Sequence, residues 1–322
     1  MTTTDIPKMT YVLPLRRHLT FTTNSLPSII LNASRDHEII IVLDKCPLEY
    51  EHARRPEVYP GDCTSAITSD REERETVYRW IDAHQKILNE HNVKVLDFHG
   101  DAHCWTGGLR AAAAMNMGTK TATSEYVVVF GDEDLLFMPG WDRAMWDPIK
   151  GLDPMRYVSL PVMVTTDVCD PYMPPADLTP DWIHAQRKKC CHKLVYPTMP
   201  SDGGSLFSGR FPIENFARFV GIGKQSGCVE EPCGVRAMCH WVPIIMHRRL
   251  FDHIGGYPTG DDAAFGYDIV LDNTLSSMGV RKRMPLDHMI LHTKFFTFIS
   301  DEVDRDWGDA TRLSQIQKRM IP

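Results

Sequence analysis

No run in this 322-residue chain is apolar for long enough to span a bilayer. The opening MTTTDIPKMT has no apolar core of the kind a signal peptide needs, and the expectation is a cytoplasmic chain. Positive charge is in short supply. Lys plus Arg is 35 against 42 for Asp plus Glu, a net charge of −7. That balance argues against a dedicated nucleic-acid binder and leaves room only for a local basic groove. Internal repeats and low-complexity segments are absent, and 43% hydrophobic with 24% charged residues is ordinary globular composition.

Several familiar phosphate and metal signatures also fail. FVGIGKQSG is glycine-rich, but Arg218 stands five residues before Gly223 and Gln225 follows Lys224, which breaks the Walker spacing. Ser226 replaces the third glycine of a dinucleotide fingerprint. PLRRHL carries no glycine, which counts against a sugar-phosphate nucleotidyltransferase. The nine cysteines include Cys190, Cys191, Cys228, Cys233 and Cys239, with His192 and His240 nearby. Their spacing fits no known zinc pattern, and they read as reduced thiols. RKKCCHK, Arg187 to Lys193, reads as a solvated basic face.

What is present is an alternation of strand and helix signals. TYVLPL is an apolar run ending at Pro14, with a helix expected in NSLPSIILNAS. HEIIIVLD is a β-branched run closing on Asp44. Ser69 and Glu72 have capping-box spacing, and Val77, Trp80, Ile81, Ile87 and Leu88 follow at helical intervals. VKVLDF, a helix over GGLRAAAAMNMG ending near Gly118, and the strand EYVVVF complete the first half. This order implies an open, mostly parallel α/β sheet, whose ligands sit beyond the carboxyl ends of the strands. Pro14, Asp44 and the run Asp132, Glu133, Asp134 all fall at such ends.

The second half is less regular. YVSLPVMV reads as one strand, and Thr165 to Arg236 as an irregular stretch. HWVPIIMHRRLFDHIGGY reads as strand, short helix and glycine turn. GYDIVLDNTLSSMG reads as a helix, HMILHTKFF as a last strand, and Asp301 to Met320 as a polar C-terminal helix.

Asp132 and Asp134 stand at i and i+2, which point the same way in an extended segment. Two carboxylates on one side suit a hard divalent cation shared with substrate phosphates, although a solvated acidic turn has the same sequence. The surroundings narrow this. GGLRAAAAMNMGTKTATSEYVVVFGDED resembles the signature of family 2-type GT-A glycosyltransferases, nucleotide-diphospho-sugar transferases in which A-A-x-N-x-G, G-E-Y, an apolar strand and D-x-D follow one another. Ala113, Ala114, Asn116, Gly118, Glu125, Tyr126, Asp132 and Asp134 keep that order. Met115 replaces a usual arginine and Ser124 a usual glycine. Arg248, Phe251, Ile254, Gly255, Gly256 and Tyr257 are similar to the acceptor-side motif R-x-x-F-x-x-I-G-G-Y.

The resemblance implies a GT-A fold, Rossmann-like, with an irregular insertion. It places the nucleotide-sugar part at 1–164, an insertion or acceptor lid at 165–236, and the acceptor-side part with the C-terminal helix at 237–322. It implies inverting transfer of a sugar, hexosyltransferase-like, from a nucleotide-diphosphate donor to a glycan, lipid or other hydroxyl acceptor. Mn²⁺ or Mg²⁺ would be held by Asp132, Asp134 and His292, with His288 a rival. Pro14, Arg16, Asp44, Arg110 and Asp132 would line the nucleotide, and Asp268 would be the base, with Asp261, Asp262 and Asp272 as rivals. Such chemistry needs a cation on the departing diphosphate and a separate carboxylate to take the acceptor's proton. Two other readings stay open: a binding module without turnover, and a glycosyltransferase acting on a nucleic-acid base.

Overall fold

All seven residues of β1, Met9–Leu15, are buried, and so are all seven of β2, Glu38–Asp44. Neighbouring side chains on a strand face opposite ways, so both faces of these strands are covered. The apolar runs in the sequence are the counterpart of that double burial. The computed structural model describes residues 5–15, 25–46, 64–100, 107–129, 135–137, 139–165, 227–233, 243–259, 267–285 and 289–292, some in backbone alone.

Around β1 and β2 lie β3 (Val93–Phe98), β4 (Tyr126–Val129), β6 (Tyr157–Ser159), β8 (Cys228–Pro232), β9 (Ile244–His247) and β10 (Arg281–Pro285). They form an eight-stranded sheet in the order β3-β2-β1-β4-β9-β6-β10-β8. Strands β3, β2, β1 and β4 are mutually parallel, and β6 and β10 share their direction. Only β9 and β8 run against the rest of this sheet. A second sheet joins β5 (Leu135–Phe137), β11 (Met289–His292) and β7 (Val162–Thr165) in the order β5-β11-β7. The described helices are α1 (Leu26–Leu31), α2 (Thr64–Glu90), α3 (Gly107–Thr121), α4 (Trp141–Trp146), α5 (Arg248–His253) and α6 (Tyr267–Ser277). The expected class, α/β with a Rossmann-like, mostly parallel sheet flanked by helices, is the one observed.

Four local readings need correction. Helix α2 begins at Thr64, so Ser69 and Glu72 lie inside it and form no cap. Helix α3 runs three residues past Gly118. Gly118 is an interior position where α3 meets the sheet: a Cβ there would lie 2.4 Å from Val12 Cγ1 and 3.0 Å from Val42 Cγ2. YVSLPVMV is two strands in two different sheets, β6 and β7, separated by Leu160 and Pro161. Proline has no N–H to offer a ladder, which suits the break. Finally, Cys228–Pro232 is strand within the stretch read as irregular. It is the sheet edge, blunted by Pro232 and by Glu230, which pairs with Arg281 and Arg283 of β10. The Asp301 to Met320 helix, FVGIGKQS and RKKCCHK lie outside the described residues.

The amino-terminal edge of the parallel strands is stitched by buried polar groups. Glu38 accepts from Thr10 Oγ1 at 2.5 Å, Lys94 Nζ at 2.5 Å, and Thr123 N and Oγ1 at 2.9 Å each. Burial would raise the Glu38 carboxyl, but Lys94, Thr10 and Thr123 outweigh it and hold it at about 2. Beside it His37 Nδ1 accepts from Met9 N, so Nε2–H donates to Asp142 Oδ2 at 2.9 Å. Asp142 also accepts from Ser34 N, which ties the start of β2 to α4.

Two outcomes follow. Gly118→Ala forces a methyl into stiff, β-branched neighbours and should cost about 1–3 kcal/mol in urea unfolding; an unchanged midpoint would mean the helix does not press on the sheet. The Glu38 carboxyl is depressed in the folded state, so its contribution is full above the unfolded value near 4.5 and is lost as pH falls toward about 2. The wild type should therefore lose stability relative to Glu38→Gln across that window, by about 3 kcal/mol in all; parallel pH–stability curves would count against it.

Candidate functional site

The parallel register sets the carboxyl ends of β1, β2, β3 and β4 along one edge: Leu15 lies against Leu43, Asp44 against Phe98, and Val12 against Val129. Pro14 is on this edge, paired in register with Val42, and the strand continues one residue beyond it. Arg16, Asp132 and Asp134 lie outside the described residues.

Asp44 closes β2 and is buried. Its Oδ1 accepts from Cys46 N at 2.9 Å, the hydrogen bond of a strand-end Asx turn. Asp44 is therefore a turn former at the carboxyl end of β2.

The segments on either side of the acid run are firmly placed. Val129 ends β4, buried in the main sheet, and Leu135 begins β5 in the small one. Helix α1 anchors β5: Ser28 Oγ accepts from Phe137 N at 3.1 Å, and Asn32 Nδ2 donates to Phe137 O at 2.6 Å. Phe137, Tyr11 and Trp141 meet edge to face at 5.2–5.5 Å between ring centres. Sequence reasoning missed this anchor. The apolar LLF immediately after three acids was its one visible signal.

The small sheet also carries His292. Antiparallel pairing of β5 with β11 sets His292 opposite Leu135, the residue that follows Asp134. The parallel pairing with β7 sets the same histidine beside Thr165. Directly opposite residues in a ladder stand about 4.5–5.5 Å apart at Cα. The fold therefore sets the backbone of His292 against that of Leu135, across a long separation in sequence.

Helix α3 follows β3 and runs back along β1 and β2. Its first turn, with Arg110, follows β3 in sequence, and the positive end of a helix dipole favours anions. Asp268 is the second residue of α6, which packs on α3. Its rival Asp272 lies one turn further along, while Asp261, Asp262 and His288 are outside the described residues.

The two motifs quoted from distant parts of the chain turn out to bind each other. Asn116 of α3 takes both backbone groups of Tyr257: Nδ2 donates to Tyr257 O at 2.9 Å, and Oδ1 accepts from Tyr257 N at 2.7 Å. Gly256 lies beneath that amide at φ +81°, and a Cβ there would fall 2.5 Å from Asn116 Oδ1. Arg248 completes the contact. Its N–H donates to Glu125 O at 2.7 Å and its Nη1 to Ala122 O at 2.6 Å. Met115 is fully buried in the core, so the position where arginine is usual serves packing here. Ser124 is buried, with its N–H directed to Thr10 Oγ1 at 3.3 Å.

Among the described residues no three His, Cys, Asp or Glu side chains gather to hold a metal, and no helix is long and apolar enough to cross a membrane. Cys228 is a free cysteine. Cys190, Cys191, His192, Cys239 and His240, also weighed for zinc, lie outside the described residues.

No protein-family model and no curated protein matches the chain. Solved structures do. The chain is similar to GalNAc-T7, crystallised with UDP, GalNAc and Mn²⁺, at 14% identity and a TM-score of 0.49, over 90% of this chain and 44% of that one. It is similar to TarS of S. aureus at 13% and 0.45, over 89% and 36%. It is similar to the mannosyltransferase PcManGT of Pyrobaculum calidifontis, in complex with GDP-Man and Mn²⁺, at 15% and 0.44, over 98% and 70%. The likeness is one of fold. The chain spans less than half the length of the first two.

The Asn116–Tyr257 contact is directly testable. Asn116→Ala removes both hydrogen bonds and should lower stability by about 2–3 kcal/mol in chemical denaturation. A loss below about 0.5 kcal/mol, the size of an ordinary surface change, would show that the turn holds itself.

Proposed function

We propose that this protein is a metal-dependent glycosyltransferase that moves a sugar from a nucleotide-diphosphate donor to an acceptor hydroxyl, with inversion at the anomeric carbon. One observation carries the reading: the small-sheet register that sets His292 against Leu135, the residue directly after Asp134 in sequence. Three consecutive carboxylates repel one another, and a divalent cation relieves that repulsion while leaving positions open for phosphate oxygens. In this reading Asp132, Asp134 and His292 hold Mn²⁺ or Mg²⁺, which offsets charge on the departing diphosphate. His292 is taken ahead of His288 because its strand partner, Leu135, directly follows Asp134 in sequence.

The remaining roles follow the edge. Asp44 and Pro14, at the ends of β2 and β1, face the nucleoside side, with Arg16 directly after β1. Arg110, in the first turn of α3, serves the phosphates together with the helix dipole. Asp268 in the first turn of α6 takes the acceptor's proton as attack proceeds. The acceptor is a glycan, lipid or other hydroxyl compound. The net charge of −7 disfavours a nucleic acid.

Calorimetric titration with UDP, GDP, CDP and ADP, each with and without Mn²⁺, tests the site. One nucleotide should bind only with the metal, and both Asp134→Ala and His292→Ala should weaken it at least about tenfold, the least that losing even a partner behind a metal ligand costs. Asp268→Asn should leave that binding intact while abolishing transfer, which distinguishes an enzyme from a binding module. Binding that ignores the metal or Asp134 would sink the proposal.

A further inference from the structure

Helix α2 reaches across to the end of β2 with two side chains one turn apart. The Tyr78 hydroxyl donates to Asp44 O at 2.6 Å. Arg74 Nη1 donates to Cys46 O at 2.6 Å, with a longer approach of 3.5 Å to Asp44 O. Neither carbonyl belongs to α2, and neither bond is needed for the helix itself.

The same three-residue turn is gripped from the other side. Lys45 N donates to Phe98 O at 2.8 Å, and Gly100 N donates to Cys46 Sγ at 3.0 Å. A Cβ on Gly100 would lie 2.8 Å from that sulfur, so the approach requires glycine. Within the turn, Asp44 Oδ1 holds Cys46 N. Lys45 places its ammonium 4.1 Å from the centre of the Tyr78 ring and 3.6 Å from Asp97 Oδ1. The Arg74 guanidinium lies 5.9 Å from the same ring centre. Tyr78 is thus both a donor to the turn and the platform for its lysine. Burial pushes its phenol well above the usual range, so it remains a donor at any physiological pH.

A strand end on a β-sheet needs no such reinforcement to stay folded. β2 is already paired on both sides along its length. What the extra bonds fix is the direction of the Asp44–Cys46 turn, at the edge where α/β sheets receive ligands. We propose that Arg74 and Tyr78 are positioning residues, which hold the Asp44–Cys46 turn in the orientation that recognises the nucleoside half of the donor. This rests on the nucleotide-binding reading above. It adds that helix α2, far from the acid run in sequence, sets affinity for the nucleoside and leaves the diphosphate–metal half alone.

The division between the two halves supplies the test. The probes are Mn²⁺ with the nucleoside diphosphate that the wild type binds, and Mn²⁺ with inorganic pyrophosphate. Tyr78→Phe removes one hydroxyl and keeps the ring beneath Lys45. It should weaken the nucleoside diphosphate about three- to tenfold, the value of one hydrogen bond, and leave pyrophosphate unchanged. Arg74→Met should do the same, and Arg74→Lys should restore part of the loss. A merely structural role would move both probes together, or neither, while thermal unfolding shifted. Either of those patterns overturns the clamp even when the wild type binds nucleotide. A wild type that binds pyrophosphate and no nucleoside diphosphate better than it would overturn the donor reading along with the clamp.

Discussion

The contact between Asn116 and the backbone of Tyr257 ties α3 to the turn that follows α5. An asparagine amide presents one donor and one acceptor in a plane, as a peptide group does. Here it pairs with a peptide donor and acceptor 141 residues away in sequence. Gly256 makes the approach feasible, by its positive φ and by having no side chain where the amide must lie. On one side of the contact is α3, wedged on β1 and β2 through Gly118. On the other is the turn that leads toward α6 and Asp268. Arg248 fixes the same joint from below through Ala122 and Glu125. Helix α3 and the turn after α5 thus share a joint made mostly of side-chain-to-backbone hydrogen bonds.

Charge is distributed with the same logic. At the amino-terminal edge of the sheet, Glu38 and Asp142 are buried and fully met by donors, so both carboxyls are held low and inert. The run Asp132, Glu133, Asp134 follows the carboxyl end of β4 in sequence, and the proposed reading gives it a cation to hold.

Residues on both faces of a covered strand must be apolar, so β1, β2 and β4 announce themselves as continuous runs. The helix over GGLRAAAAMNMG and the IGGY turn were equally legible. What was missed was short or charged. β5 has three residues, and β8 and β10 are the sheet edge and its neighbour, built of CVEEP and RKRMP. Arg and Glu there read as solvent-facing, yet they satisfy one another across the ladder. Ser69 and Glu72 imitated a cap because polar helix surfaces repeat the same residue types. Gly118 imitated a helix stop because a close approach and a turn demand the same absent side chain. The candidate site residues could be picked out by chemical type. The pairing of His292 with Leu135 could not, because register between β5 and β11 depends on partners that no local window contains.

That register has a further side. In a ladder, a slip of one residue turns every side chain to the opposite face. The small sheet is assembled from three short segments, each from a different part of the chain, and its pairings are non-local. Non-local strand pairings close late, because the loops between them must be ordered first. A chain with its main sheet complete would still lack the small sheet until those three segments paired in step. On the proposed metal site, divalent cation affinity would gauge finished folding: it would report the last part of the molecule to find its place.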